Sequence, residues 1–240
     1  GEDRLWVISK DTLAAYRDGR LETVATNMSL TDVSRPFLFR GQPALLDLHA
    51  TGYSLLAWRE GKWQREDTFV LRVNDQRLDV HNEELQATDD GEQLHLFCRP
   101  PGQAIRYHRG LPGDDAVWET VAELGFLQQW KAVLIDGRPH VFYHDDWRSG
   151  GPYIVGLRRG DDGKWEEMLE HRVGADIGLG VVSGEGQADF VLLRRILPVG
   201  VEAIGMRDSE AAWTQGDVGE VGLSERYRLW SAVPRVIPPL

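Results

Sequence analysis

Short runs in which apolar and polar residues alternate, broken by turn residues, dominate this chain, most clearly between Trp130 and Met168. Trp130–Ile135 is apolar-rich and ends at Asp136-Gly137, a strong short-range hairpin signal. His140–Tyr143 is β-branched and aromatic, and after a polar loop Tyr153–Leu157 repeats that character. Asp161-Asp162-Gly163 then turns the chain into Lys164–Met168, which carries Trp165. The pattern predicts four antiparallel strands in succession. No window sustains apolar residues at i, i+3, i+4 and i+7, so no helix longer than a turn or two is expected.

The last strand of that stretch recurs. Asp18-Gly19-Arg20-Leu21-Glu22, Glu60-Gly61-Lys62-Trp63-Gln64, Asp115-Ala116-Val117-Trp118-Glu119, Asp162-Gly163-Lys164-Trp165-Glu166 and Glu210-Ala211-Ala212-Trp213-Thr214 superimpose. The aligned apolar positions 21, 63, 118, 165 and 213 lie 42, 55, 47 and 48 residues apart, and Trp fills all but the first. Four strands repeated at such a period are the sign of a propeller blade. With the strands of a blade named a to d, the second blade reads Pro36–Arg40, Ala44–Leu48, Tyr53–Trp58 and Trp63–Glu66, turning at Gly41-Gln42 and Glu60-Gly61. The third reads Leu85–Thr88, Leu94–Cys98, Ala104–His108 and Val117–Val121, and the fifth Ile177–Val182, Phe190–Arg194, Val201–Met206 and Ala212–Gln215.

The first blade offers strands b (Leu5–Ser9), c (Leu13–Arg17) and d (Leu21–Ala25) with no room before them for an a strand. At the other end Trp230-Ser231-Ala232-Val233 matches Trp130-Lys131-Ala132-Val133, the a strand of the fourth blade. The expectation is an all-β, five-bladed β-propeller of four-stranded antiparallel blades in a single domain, 1–240. Its blades are 4–25 plus 227–233, 35–66, 85–121, 130–168 and 177–215, and the ring closes where Tyr227–Val233 pairs with Leu5–Ser9. Closure removes the exposed strand edges. The alternative is part of a six- to eight-bladed ring whose next blade starts at Tyr227.

Composition narrows the partners more than the fold. A net charge of −11 argues against nucleic acid and anionic membrane surfaces. Cys98 is the single cysteine, so no internal disulfide forms. No apolar run is long enough to span a bilayer, so membrane insertion of this segment is not expected. The absence of an initial Met and the Pro-rich stretch Val233–Leu240 suggest that the natural protein is longer.

Candidate chemistry is sparse. Trp63, Trp118, Trp165 and Trp213 could stack on sugars, but their shared place on the outer strand favours packing between blades. His140 and His144 beside Asp145 and Asp146 suggest a metal, yet His140 aligns with His95 in the third blade, as a packing residue would; neither metal nor cofactor is expected. Asp161–Trp165 falls one residue short of the Asp-box of sialidase-type propellers and lacks its hydroxyl. A glycosidase needs paired carboxylates, and the a strands offer only Asp176 at the start of the fifth, with Asp32, Glu83 and Glu84 unpaired nearby. The loop Tyr143–Gly151 lies outside the repeat, and Trp147 flanked by Arg148 reads as a recognition element. On the b–c and d–a face, Asp32, Arg35, Arg99, His144, Asp145, Asp146, Trp147, Arg148 and Asp176 would gather at the funnel mouth.

Asp136-Gly137-Arg138-Pro139-His140-Val141-Phe142-Tyr143, a loop, then Gly156-Leu157-Arg158-Arg159-Gly160-Asp161-Asp162-Gly163-Lys164-Trp165 resembles blades of bacterial, often extracytoplasmic, propeller domains. The resemblance implies a fold, and a periplasmic or extracellular location, without catalytic residues. The reading is a non-catalytic binding, scaffold or sensory module that engages a protein partner, the soluble part of a longer membrane-attached protein. The alternative is a glycan partner, bound by a carbohydrate-binding lectin or acted on by a five-bladed glycoside hydrolase.

Overall fold

Three turns set the hairpins. In the computed structural model Arg40-Gly41, Glu60-Gly61 and Asp136-Gly137 have φ of 51° and 73°, 51° and 76°, and 51° and 71°. Positive φ at both central residues is the type I′ geometry, whose twist matches that of the flanking strands. The structure describes residues 5–9, 12–17, 20–26, 37–49, 52–70, 72–73, 76–77, 84–100, 104–111, 116–123, 129–145, 148–172, 177–184, 187–195, 201–209 and 212–221. The expected closing strand, Tyr227–Val233, lies outside them.

The described residues form all-β structure in which every sheet is antiparallel. The first sheet holds β1 (Leu5–Ser9), β2 (Thr12–Arg17) and β3 (Arg20–Thr26), in that order. The second holds β4 (Phe37–Phe39), β5 (Gln42–His49), β6 (Gly52–Arg59) and β7 (Lys62–Phe69), and a two-stranded ribbon, β8 (Arg72–Val73) with β9 (Gln76–Arg77), follows it. The third is β10 (Leu85–Asp89), β11 (Leu94–Cys98), β12 (Ile105–Arg109) and β13 (Glu119–Ala122). The fourth is β14 (Trp130–Ile135), β15 (Arg138–Asp145), β16 (Tyr153–Arg159) and β17 (Trp165–Arg172). The fifth is β18 (Ile177–Gly184), β19 (Gln187–Arg195), β20 (Val201–Ser209) and β21 (Ala212–Val221).

Most strands run longer than the apolar pattern suggested, because ladder pairing continues into polar ends such as Lys62 and Arg172. One turn moves. Gln42 pairs with Phe39, so the second sheet turns at Arg40-Gly41 rather than Gly41-Gln42. The c–d pairing of every sheet carries one irregularity, after Leu13, Leu55, Ile105, Gly156 and Glu202 in turn. Such bulges add local twist.

The chain divides into two compact units, Gly1–Gly125 and Phe126–Leu240. In the first, β4 lies against β10, first strand to first strand. A core runs through both sheets, from Phe39, Leu46, Tyr53 and Leu55 to Leu85, Leu96, Cys98 and Trp118. Burial pushes the Cys98 thiol up to about 12, which leaves it unreactive. In the second unit β14 lies against β18, and the backbone N–H of Leu179 donates to Gln129 Oε1 at 2.7 Å. Meanders packed first strand to first strand are how neighbouring propeller blades meet.

Candidate functional site

Strand register makes positions in different sheets comparable. Leu38↔Pro43, Asp89↔Leu94 and Leu134↔Pro139 close equivalent a–b loops. On that register Phe39, Asp90 and Ile135 correspond, as do Ala44, His95 and His140, and Leu55, Tyr107 and Gly156. At the opposite end of the b strand, the Arg99 N–H donates to Glu84 O at 2.9 Å, as the His144 N–H does to Gln129 O at 3.0 Å.

Of the predicted site residues, Asp32, Arg35, Asp146, Trp147 and Asp176 lie outside the described residues. Arg99 belongs to the first unit. Its Nε and Nη2 donate to both Glu84 oxygens, at 2.7 and 2.6 Å. Such a forked pair gives planar, fixed geometry. His144, Asp145 and Arg148 belong to the second unit. His144 is buried at the end of β15. Arg148 folds back from the b–c loop onto β17, where Nη2 and Nη1 meet Glu167 at 2.6 and 3.2 Å and Nη1 meets Glu170 at 3.1 Å. Asp145 stands 3.6 Å from its Nε. Glu167 above all, then Glu170, holds Arg148 protonated above its ordinary range. Burial, with Asp145 and Glu167 adding to it against Arg148, raises the neighbouring Tyr143 hydroxyl to about 12.

The sequence reading missed Glu167 and Glu170, the groups that occupy Arg148. Among the described residues no three His, Cys, Asp or Glu side chains are grouped so as to hold a metal ion.

Trp63 and Trp165 share one rung of the c–d pairing, opposite Trp58 and Arg159, whereas Trp118, the residue before Glu119 (which faces Tyr107), sits two rungs away from it. Trp118 is buried in the core common to the second and third sheets, with His108 against it at 5.2 Å. Packing between sheets accounts for it. Trp63 is half-buried instead. It pairs across the type I′ turn with Trp58, edge to face, with ring centres 5.3 Å apart at 73°. On the neighbouring rung, whose side chains face the other side of the sheet, Arg59 Nε meets Glu66 Oε1 at 2.8 Å. Trp165 is half-buried too, and pairs across its strands with Arg159. On the adjacent rung Arg158 stands 3.6 Å from Glu166. Trp58 escaped the sequence reading, although Trp58-Arg59-Glu60-Gly61-Lys62-Trp63 flanks one turn symmetrically with indoles.

A half-buried indole offers an apolar plane of the kind that small ligands with one apolar face require, while the Arg–Glu pairs on the neighbouring rungs face the other side of the sheet.

No family model matches the chain, and neither does any curated relative. Solved structures do. The chain resembles SapL1 lectin in complex with α-methyl fucoside, with a TM-score of 0.59 at 13% identity, covering 91% of this chain and 77% of that one. It resembles TolB from Acinetobacter baumannii with a TM-score of 0.53 at 14% identity, covering 86% of this chain and about half, 48%, of that one. A fungal lectin from Aleuria aurantia, described as a six-bladed β-propeller with a novel fucose recognition mode, gives a TM-score of 0.51 at 13% identity, covering 93% and 76%. At these identities the likeness speaks to architecture alone. Together with the four-stranded sheets it shows that this chain has a β-propeller fold.

Proposed function

We propose that this chain is a non-catalytic glycan-binding propeller, which takes the apolar face of a sugar on half-exposed indoles at the c–d corners of its blades. The observation that carries this is the edge-to-face Trp58–Trp63 pair across its c–d turn. The C–H face of a pyranose stacks on an indole. The described structural neighbours include lectins, one in complex with α-methyl fucoside, so a fucoside is the first ligand to try.

The readings that compete with this one fare less well. A protein scaffold centred on Trp147 and Arg148 needs Arg148 presented to a partner, and Arg148 instead ties its own loop to β17. A glycoside hydrolase needs two carboxylates flanking one bond, and Asp145, Glu167 and Glu170 surround a guanidinium instead.

The reading takes the five sheets as five blades, closed by Tyr227–Val233 on β1. Truncation after Gly222 would then expose the inner edge of the first sheet and cause aggregation.

A glycan array followed by titration with α-methyl fucoside tests the function. Saccharide binding is expected, and in Trp63→Ala the site at Trp63 alone should weaken about tenfold or more with little change in Tm, a loss within the range of one stacked aromatic anchor. An array with no bound saccharide would overturn the proposal.

A further inference from the structure

The third sheet holds a hydrogen-bonded chain that neither the second nor the fourth repeats. Tyr107 Oη lies 2.8 Å from His95 Nδ1, and His95 Nε2 lies 3.0 Å from Asp90 Oδ2. Asp90 Oδ1 accepts the backbone N–H groups of Glu92 and Gln93 at 2.9 and 2.7 Å, so the same carboxylate shapes the a–b turn. One ring therefore joins a turn, strand β11 and strand β12. Both His95 (2% exposed) and Tyr107 (1%) are buried.

The fold does not require this chain. At the equivalent places the second sheet has Phe39, Ala44 and Leu55, all buried. The fourth has Ile135, His140 and Gly156, and its histidine donates Nδ1–H to the Arg138 carbonyl at 2.9 Å.

The partners fix the protonation state that fits. Asp90 is ionised: burial works against this, but the Gln93 N–H, then the His95 hydrogen bond and the Glu92 N–H, outweigh it and lower its pKa. Nε2–H therefore donates to Asp90, and Nδ1 accepts from the Tyr107 hydroxyl, an arrangement open only to a neutral ring. A proton added at Nδ1 removes the acceptor of the Tyr107 O–H and places an imidazolium in a buried site. The charged groups acting on the ring are Asp90 and Asp89, which favour the proton, and Arg109, which opposes it from β12 at 3.3 Å from Asp90.

We propose that His95 is an acid-sensitive latch, whose protonation releases the Asp90 turn and β12 so that the third sheet opens before the rest of its unit. Burial lowers the His95 pKa from its ordinary 6.5 despite the Asp90 hydrogen bond. The folded state thus binds this proton less well than the unfolded chain does. The stabilisation is full above about 6.5 and is lost as the pH falls from there towards the folded value.

The test is NMR on the full chain between about pH 7.5 and 5, where histidine titrates. The His95 ring signals are assigned by their disappearance in His95→Gln, and amide exchange is corrected for its intrinsic pH dependence. The His95 ring is expected to titrate below 6.5, while the protection of β11 and β12 amides falls about tenfold or more relative to those of β5 and β6. Two variants that retain the ring should move its titration in opposite directions. Tyr107→Phe removes the donor that favours the neutral form and raises the midpoint; Asp90→Asn removes the anion that favours the charged form and lowers it. A ring that titrates at or above 6.5, or protection of β11 and β12 that is indifferent to pH, would overturn the proposal.

Discussion

The second and third sheets share a strand order, a register and one common core, yet fill the same column with opposite chemistry. Phe39, Ala44, Leu55 and Ala57 close it in the second sheet with buried apolar atoms. Asp90, His95, Tyr107 and Arg109 close it in the third with hydrogen bonds. An apolar column is stabilised by packing and area removed from water and is indifferent to pH. A polar one holds only while every member is satisfied, and so depends on protonation. Blade architecture is therefore set by turns and alternation, while the interior is free to diverge.

The largest expected effect lies in the apolar column. Leu55→Ala should cost about 2–5 kcal/mol, since Leu55 is fully buried in the core shared by the second and third sheets. Chemical denaturation of the purified chain measures it. A loss under about 1 kcal/mol would mean that the second sheet can collapse around a cavity, and that the contrast is weaker than drawn.

The fourth sheet sharpens the comparison, because the column has no side chain at Gly156. A Cβ there would stand 2.9 Å from Leu169 Cβ and 2.9 Å from Phe142 Cε1, both buried. Gly156→Ala should therefore destabilise by about 1–3 kcal/mol through overpacking. An unchanged Tm would show that the Phe142 ring moves aside.

In the polar column, Tyr107→Phe keeps the ring but takes the donor from His95 Nδ1. A cost of about 1–2 kcal/mol is expected at neutral pH, the usual penalty for a buried acceptor left unmade. Equal stability of variant and parent would show that the hydroxyl contributes nothing to the column.

The smallest effect is expected at Arg148→Gln. Its carboxylate partners Glu167 and Glu170 are well exposed, so solvent screening should hold the loss to about 1 kcal/mol. Faster exchange of the backbone from Ser149 to Gly151 is expected alongside, since the loop loses its tie to β17.

The strands and most turns were legible in the sequence because both signals are local: a period of two, and Asp-Gly or Glu-Gly pairs that favour positive φ. The recurrent Trp positions were legible as a register for Trp63, Trp165 and Trp213. Trp118 departs from that register by two rungs, because the long c–d connection of the third sheet brings it in beside His108 rather than opposite the residue equivalent to Trp58. The pairing of Arg148 with Glu167 depends on the bulge after Gly156, which sets Leu157 opposite Glu167 and Gly156 opposite Leu169. No periodicity announces that shift. The Asp90–His95–Tyr107 chain was hidden for a related reason. Asp90 reads as one of several turn acids, and only the folded loop aims it at the imidazole. A histidine recurring at His95 and His140 did signal an interior position, and both are buried.

The most direct test of the glycan-binding account is the stoichiometry of α-methyl fucoside binding, read by calorimetry on the intact chain. Half-buried indoles occupy the same rung at Trp63 and again at Trp165, so the account predicts two or more equivalent sites per chain. Trp63→Ala should remove one and leave the affinity of the rest unchanged. A single site that is untouched by both Trp63→Ala and Trp165→Ala would contradict it.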